Sequence, residues 1–363
     1  MRSILKYKRT LGILIAAVLL YLSFHDLDRE EIAQIISETD YWLLLPAAFF
    51  AFLVNVFKAL RWRIIVDPVK PMPIRKMYSI FSVGQMVNCS LPALTGQAAR
   101  VLVLANGAKL PKTYCATTVV LEVLFDGLSL ILLIAAASTI FVVPGWVSRS
   151  GLLGGGVIVA LMVVFLLIVH NRRRIRIYGR RKFKRRHPKI FNKIRHVARS
   201  FADALDMLKS IRHTLLTALY SLCLWVSHAL VIVFLIEAFQ LDMRPAGAMV
   251  ILAINSVLLV FPITPGNLGT FQWACVASMA LFGIDKESAV SFSIILHIMD
   301  LVPVFLMGLV FLYWDHMRYK DIRDEALKEA EHADDAGKAA KAGTKTGKKG
   351  DVDVEQEVIV EGD

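Results

Sequence analysis

Apolar positions in this chain form long unbroken runs. They do not alternate with polar ones as strands would require. Thr10–Phe24, Tyr41–Leu60, Thr113–Val143, Gly151–His170, Thr214–Phe239 and Ser288–Tyr313 each read as a helix that is apolar on all sides. A helix of about 20 such residues crosses the hydrocarbon of a bilayer, so the pattern predicts six membrane-spanning helices. The first has a basic start (Arg2, Lys6, Lys8, Arg9) and an apolar core from Leu11 to Leu22. It ends without a small-residue cleavage site and therefore reads as an uncleaved span. Asp26–Asp40 is amphipathic and is expected to lie along the outer surface.

Two further apolar stretches are interrupted. Met77–Leu91 and Gln97–Leu110 flank a break at Pro92–Gly96, and Ala246–Phe282 is broken by Pro262-Ile263-Thr264-Pro265-Gly266-Asn267-Leu268-Gly269. The arms of the first are too short to cross about 30 Å of hydrocarbon comfortably. Non-helical backbone at membrane depth survives only where protein or water surrounds it. Each stretch therefore predicts a re-entrant helical hairpin whose tip is buried in the bundle or lines a cavity. Broken segments in corresponding halves are the sequence signature of a transporter's central site.

Charge gives these elements an orientation. Basic residues at the amino end, at Lys58, Arg61 and Arg63, and at Lys109 and Lys112 mark the inner face. The first hairpin then enters from inside and the second from outside. The predicted fold is an all-α polytopic membrane protein, an inverted repeat of three transmembrane helices plus one re-entrant hairpin per half. The membrane domain covers 1–317, with repeats at about 5–146 and about 150–315. Both termini are expected in the cytoplasm.

Composition agrees, with 56% hydrophobic residues and a mean hydropathy of +0.57. The net charge of +12 is concentrated: residues 171–213 hold sixteen Lys or Arg against two Asp. This is a cytoplasmic loop under the positive-inside rule, and its sharper reading is a surface for anionic lipid headgroups. It lies between two spans and carries no nucleic-acid module, so nucleic acid is not an expected partner. Residues 318–363 are charged and, past Tyr319, free of aromatics, and they predict a disordered cytoplasmic tail. Cys89, Cys115, Cys223 and Cys275 are scattered through apolar stretches and suggest neither a disulfide framework nor a metal site. No cofactor motif is present.

The candidate chemistry lies in ionisable residues that are costly in lipid, at about 2.5–3.5 kcal/mol each on the lenient insertion scale. Glu122 and Asp126, four apart, share one helix face, and His297 and Asp300, three apart, share another. The two pairs occupy corresponding places after the two breaks. They either pair with each other, with Arg100 or with hairpin backbone to hold the bundle, or they line a polar cavity that binds a headgroup or relays protons. Arg100 suits bidentate contact with phosphate. Asn88, Gln97, Asn255, Asn267 and Gln272 surround the tips and suit either freed backbone or a ligand. No Gly-rich phosphate loop, paired metal motif or nucleophile arrangement marks an enzyme.

Arg61-Trp62, Val83-Gly84-Gln85-Met86-Val87-Asn88-Cys89-Ser90-Leu91-Pro92, Gly96-Gln97-Ala98-Ala99-Arg100 and Leu121-Glu122-Val123-Leu124-Phe125-Asp126 together carry a resemblance. So does Pro265-Gly266-Asn267-Leu268-Gly269-Thr270-Phe271-Gln272. Over roughly 5–315 the chain resembles the flippase-like family of the lysylphosphatidylglycerol synthase transmembrane region. The resemblance implies lipid handling in the cytoplasmic membrane, by moving a phospholipid, glycolipid or polyprenyl carrier between leaflets. The soluble aminoacyl-transferase domain of the full synthase has no counterpart here, so the chain is not expected to be an enzyme. Family members often carry Glu where Gln97 and Gln272 stand, which shifts weight to Glu122, Asp126 and Asp300. The expected headgroup site is Asn88, Gln97, Arg100, Glu122, Asp126, Asn267, Gln272, His297 and Asp300. Two alternatives stay open: a membrane enzyme or accessory subunit acting on a lipid-linked substrate, and a scaffold that recruits a cytoplasmic partner through the basic loop or tail. Self-association is also open.

Overall fold

The computed structural model describes residues 14–91, 94–140, 156, 160, 210–244, 247–258, 264–316 and 318–328. Every regular element among them is helical. Helix α1 is Leu14–Phe24. Helix α2, Arg29–Glu38, lies within the amphipathic stretch and buries none of its residues. Asp28 starts it by accepting the Glu30 N–H at 2.8 Å, since the first turn of a helix leaves its N–H groups without partners.

A 3-10 turn at Tyr41–Leu43 leads into α3, Leu44–Val66. Helix α4 is Ile74–Ser90, α5 is Leu94–Ala108 and α6 is Lys112–Ile140. In the second half α7 is Ile211–Ala238, α8 is Gly247–Leu258, α9 is Thr270–Met279 and α10 is Lys286–Trp314. Tyr41–Val66, α7 and α10 are each long and apolar enough to cross a membrane. Trp42, Leu45, Leu215, Leu222, Leu309 and Tyr313 stand exposed on them, as side chains facing lipid do. The predicted spans that begin near 41, 113, 214 and 288 all appear as helices. The predicted fourth span, Gly151–His170, apart from residues 156 and 160, and nearly all of 171–213 lie outside the described residues.

Both interrupted stretches fold back on themselves. A Cβ at Gly84 would sit 3.4 Å from Arg100 Cα, one at Gly96 would meet Asn88 Oδ1 at 2.5 Å, and one at Gly107 would meet Ile80 at 2.8 Å. Positions rising along α4 meet positions falling along α5, so the two helices run antiparallel. Helices α8 and α9 do the same: a Cβ at Gly247 would lie 3.5 Å from Phe282, and Asn255 Nδ2 lies 3.1 Å from Cys275 Sγ. Between α8 and α9 the chain passes a 3-10 turn at Pro265–Asn267. There Gly266 (φ 58°), Asn267 (φ 58°) and Gly269 (φ 81°) take left-handed backbone, which ends a helix sharply.

Packing forms two large cores and two smaller clusters among the described residues. One core joins the end of α3 to α4, α5 and α6 through Trp62, Phe81, Leu104 and Leu121. The other joins the start of α3 to α7, α8, α9 and α10 through Ala47, Ile232, Cys275 and Phe292. The two breaks meet where the halves join: a Cβ at Gly266 would lie 3.4 Å from the Cys89 carbonyl oxygen. The charged tail begins as a helix, α11 (residues 319–328). Its Ala326 is fully buried in a cluster with Met86, Val87 and Leu102, and Glu325 accepts from Asn106 at 3.1 Å. Residues 329–363 lie outside the described part.

The tight seam at Gly96 gives a direct test. Gly96→Val forces two methyl groups against Asn88 and is expected to cost about 1–3 kcal/mol, the usual penalty of overpacking. Thermal unfolding followed by tryptophan fluorescence reads it; an unchanged midpoint would rule out this close approach.

Candidate functional site

Polar residues inside the bundle form two main groups, both reached from α3. The first is a closed set of charges. Arg61 has no solvent exposure; both terminal nitrogens of its guanidinium are engaged, while its Nε has no partner among the described residues. Nη1 and Nη2 donate to the two oxygens of Asp126 at 2.6 and 3.0 Å. Nη1 also reaches Ser221 Oγ at 3.2 Å, and Nη2 reaches Glu122 Oε1 at 3.4 Å. The other oxygen of Glu122 accepts from Arg100 Nη2 at 2.6 Å. The Arg100 guanidinium lies 4.9 Å from the centre of the Trp62 ring and 5.8 Å from that of Phe81, which adds cation–π attraction in a dry setting. Trp62 is fixed in turn by its indole N–H, 3.1 Å from Thr118 Oγ1.

Two guanidinium groups thus face two carboxylates, and the set carries no net charge. A buried charge is tolerable when paired and hydrogen-bonded, and bidentate Arg–carboxylate geometry is the strong form of that pairing. The set ties α3, α5, α6 and α7 together. It accounts for Glu122, Asp126 and Arg100 by the bundle-holding reading of the sequence. It adds Arg61, which the sequence shows only as a basic mark on the inner face.

The second group surrounds a cavity of about 190 Å³ between the two breaks. Asn88 and Cys89 reach it from the end of α4, and Thr264, Gly266 and Asn267 from the second break. Lys58 comes from α3, His228 from α7, and His297 and Asp300 from α10. Asp300 Oδ1 lies 3.3 Å from His228 Nε2. Lys58 is half-buried and has no carboxylate within 4.0 Å among the described residues.

His297 holds the break in place. Its Nε2 is 2.8 Å from the Gly266 carbonyl oxygen, which can only accept, so Nε2 carries the proton. Nδ1 then accepts from Gln272 Nε2 at 2.9 Å, and Gln272 Oε1 accepts the Gly269 N–H at 2.8 Å. The imidazole stacks on Phe271 at 4.5 Å. This chain of bonds satisfies backbone that the break has freed. With a neutral imidazole the donor to Nδ1 is the amide of Gln272; a carboxylate at that position would pair with a doubly protonated ring instead.

Of the nine residues expected to form a headgroup site, Asn88, Asn267, His297 and Asp300 line the cavity. Gln272 lies behind His297. Arg100, Glu122 and Asp126 belong to the closed charge set. Gln97 borders neither group, and its Oε1 is buried without a partner among the described residues. Sequence reasoning missed Lys58 and His228 as cavity residues, although both are ionisable groups inside apolar runs, the signal that drew attention to Asp300.

A family model for the lysylphosphatidylglycerol synthase TM region matches residues 9–308. The chain belongs to this family. Comparison with curated proteins gives no match. As a member of the family, the chain is a membrane protein whose relatives are linked to lipids. The match spans both halves, including both breaks, the charge set and the cavity residues from Lys58 to Asp300.

The charge set predicts a stability effect. Glu122→Gln leaves Arg61 and Arg100 each short of a carboxylate oxygen in a buried site, at a cost of about 3–5 kcal/mol. A large drop in thermal midpoint of the purified protein is expected, and a wild-type midpoint would show that the pairing does not hold the bundle.

Proposed function

We propose that this protein moves an amphiphilic lipid between the leaflets of the cytoplasmic membrane, carrying the polar headgroup through the cavity between the two breaks while the acyl chains stay in lipid. The observation that carries this reading is the meeting of two broken helical stretches at one polar chamber inside the helix bundle. Such breaks are tolerated at membrane depth where they line a cavity, and paired breaks mark the substrate sites of many transporters. In this reading the hairpins re-enter from opposite faces, the halves form an inverted repeat, and both termini lie in the cytoplasm. The lipid is anionic or modified at its headgroup.

Transport without covalent chemistry fits the state of the polar groups. Both ring nitrogens of His297 are occupied by Gln272 and Gly266. Glu122 and Asp126 are held by guanidinium groups. These residues are poised to hold structure, which leaves Lys58, His228 and Asp300 to meet a headgroup.

Proteoliposomes with tail-labelled phospholipids and a membrane-impermeant quencher test the proposal. The protein is expected to speed leaflet exchange. Leu301→Trp, which fills part of the cavity lining, is expected to abolish most of that gain while the protein still purifies as wild type. Exchange no faster than in protein-free vesicles would refute translocation. Full exchange by Leu301→Trp would refute the cavity as the route.

A further inference from the structure

The cavity is not a generic polar space, because its charged groups are few and differently placed. The guanidinium groups nearby are neutralised: Arg61 and Arg100 share Glu122 and Asp126. Lys58 is the cavity cation with no ion-pair partner among the described residues. It stands three residues before Arg61, one turn along the same face of α3; Arg61 is taken up by the closed set, and Lys58 lines the cavity. An ammonium presents three donors and no acceptor. Inside a membrane such a group needs an anion or several waters. Across the cavity, Asp300 gives one oxygen to His228 at 3.3 Å. Its other oxygen has no partner among the described residues and accepts only. One wall therefore asks for an anion and the other for a hydrogen-bond donor.

From this arrangement we infer that the cavity selects a phosphodiester headgroup that ends in a hydrogen-bond donor: phosphate on Lys58, and an N–H or O–H on Asp300. The inference rests on the proposed function and narrows its substrate class. Phosphate esters are the common lipid-borne anions, and a phosphate oxygen accepts a charge-assisted bond from an ammonium. An ethanolamine or glycerol headgroup supplies the donor. A choline headgroup carries the same phosphate but only methyl groups on nitrogen, so it leaves Asp300 without a partner. A buried polar group left unpaired is the strongest source of discrimination available to such a site. Arg100 does not take the phosphate, because its charge is already answered by Glu122 at 2.6 Å.

Native mass spectrometry of the full-length protein in a neutral detergent tests this. The protein is offered equal amounts of phosphatidylethanolamine, phosphatidylglycerol and phosphatidylcholine with identical acyl chains, and separately inorganic phosphate. The first two lipids are expected to outcompete phosphatidylcholine by about tenfold, the worth of one charge-assisted hydrogen bond. Lys58→Gln is expected to weaken all three by a similar factor, and Lys58→Arg to restore them. Asp300→Asn is expected to remove the preference over phosphatidylcholine. Size-exclusion profiles identify variants that fail to fold, and for these the Lys58→Gln and Lys58→Arg pair decides. Equal binding of the three lipids by the wild type, or unchanged binding by Lys58→Gln, overturns the inference. Inorganic phosphate that binds as tightly as the lipids also overturns it, since the site would then serve a free anion. A wild type that binds these lipids without preference yet still speeds leaflet exchange leaves the translocation reading standing. Absence of exchange with the preference intact defeats translocation alone.

Discussion

Backbone that leaves the helix inside a packed bundle has few water molecules to bond with, and this constraint organises the molecule. Each freed N–H and C=O must find a partner supplied by the protein or by a wet cavity. At the second break the partners form a relay: Gly269 N–H to Gln272, Gln272 to His297, and His297 to the Gly266 carbonyl. The relay fixes the turn that brings Gly266 against the carbonyl of Cys89 in the first break. Two local irregularities thereby become one shared chamber. The surrounding helices then pack as two cores, one on each side of the chamber.

The same constraint explains how polar residues are divided. Buried charges are tolerated when paired, so Arg61, Arg100 and Glu122, with the partly exposed Asp126, satisfy one another and bind four helices together. Charges that face the chamber need not be paired, because water or a ligand can meet them. Lys58 and the free oxygen of Asp300 belong to this second class. They reach the chamber from α3 and α10, and the first class gives these helices a fixed frame.

Much of the architecture was legible in the chain. Runs of apolar residues locate the long helices, and the Pro and Gly clusters locate both breaks, because nothing else interrupts a membrane helix so abruptly. The motif order carried the family. Partner choice inside the bundle was less legible. Glu122 and Asp126 read equally well as ligands or as structural ions, since the deciding partner, Arg61, lies 61 residues from Glu122 in sequence and looks like an ordinary inner-face arginine. His297 suits a proton carrier by residue type, and its partners at both nitrogens, 25 and 31 residues away, could not be read from the sequence. Lys58 and His228 sit inside spans, where an ionisable residue deserves the same scrutiny that Asp300 received. A short helix at the start of the tail suits its composition, but its docking on the bundle was not legible, because it rests on one fully buried residue, Ala326, held by α4, α5 and α10.

The central claim is that the two breaks face each other across one chamber. Oxidative cross-linking in native membranes tests it most directly, using Cys89 and Gly266→Cys in a background with serine at Cys115, Cys223 and Cys275. A protease site placed between residues 141 and 209 allows the two halves to be separated. The account predicts a bond that keeps the cleaved halves together until reductant is added. Halves that part under every oxidising condition and with every short bifunctional linker would contradict it.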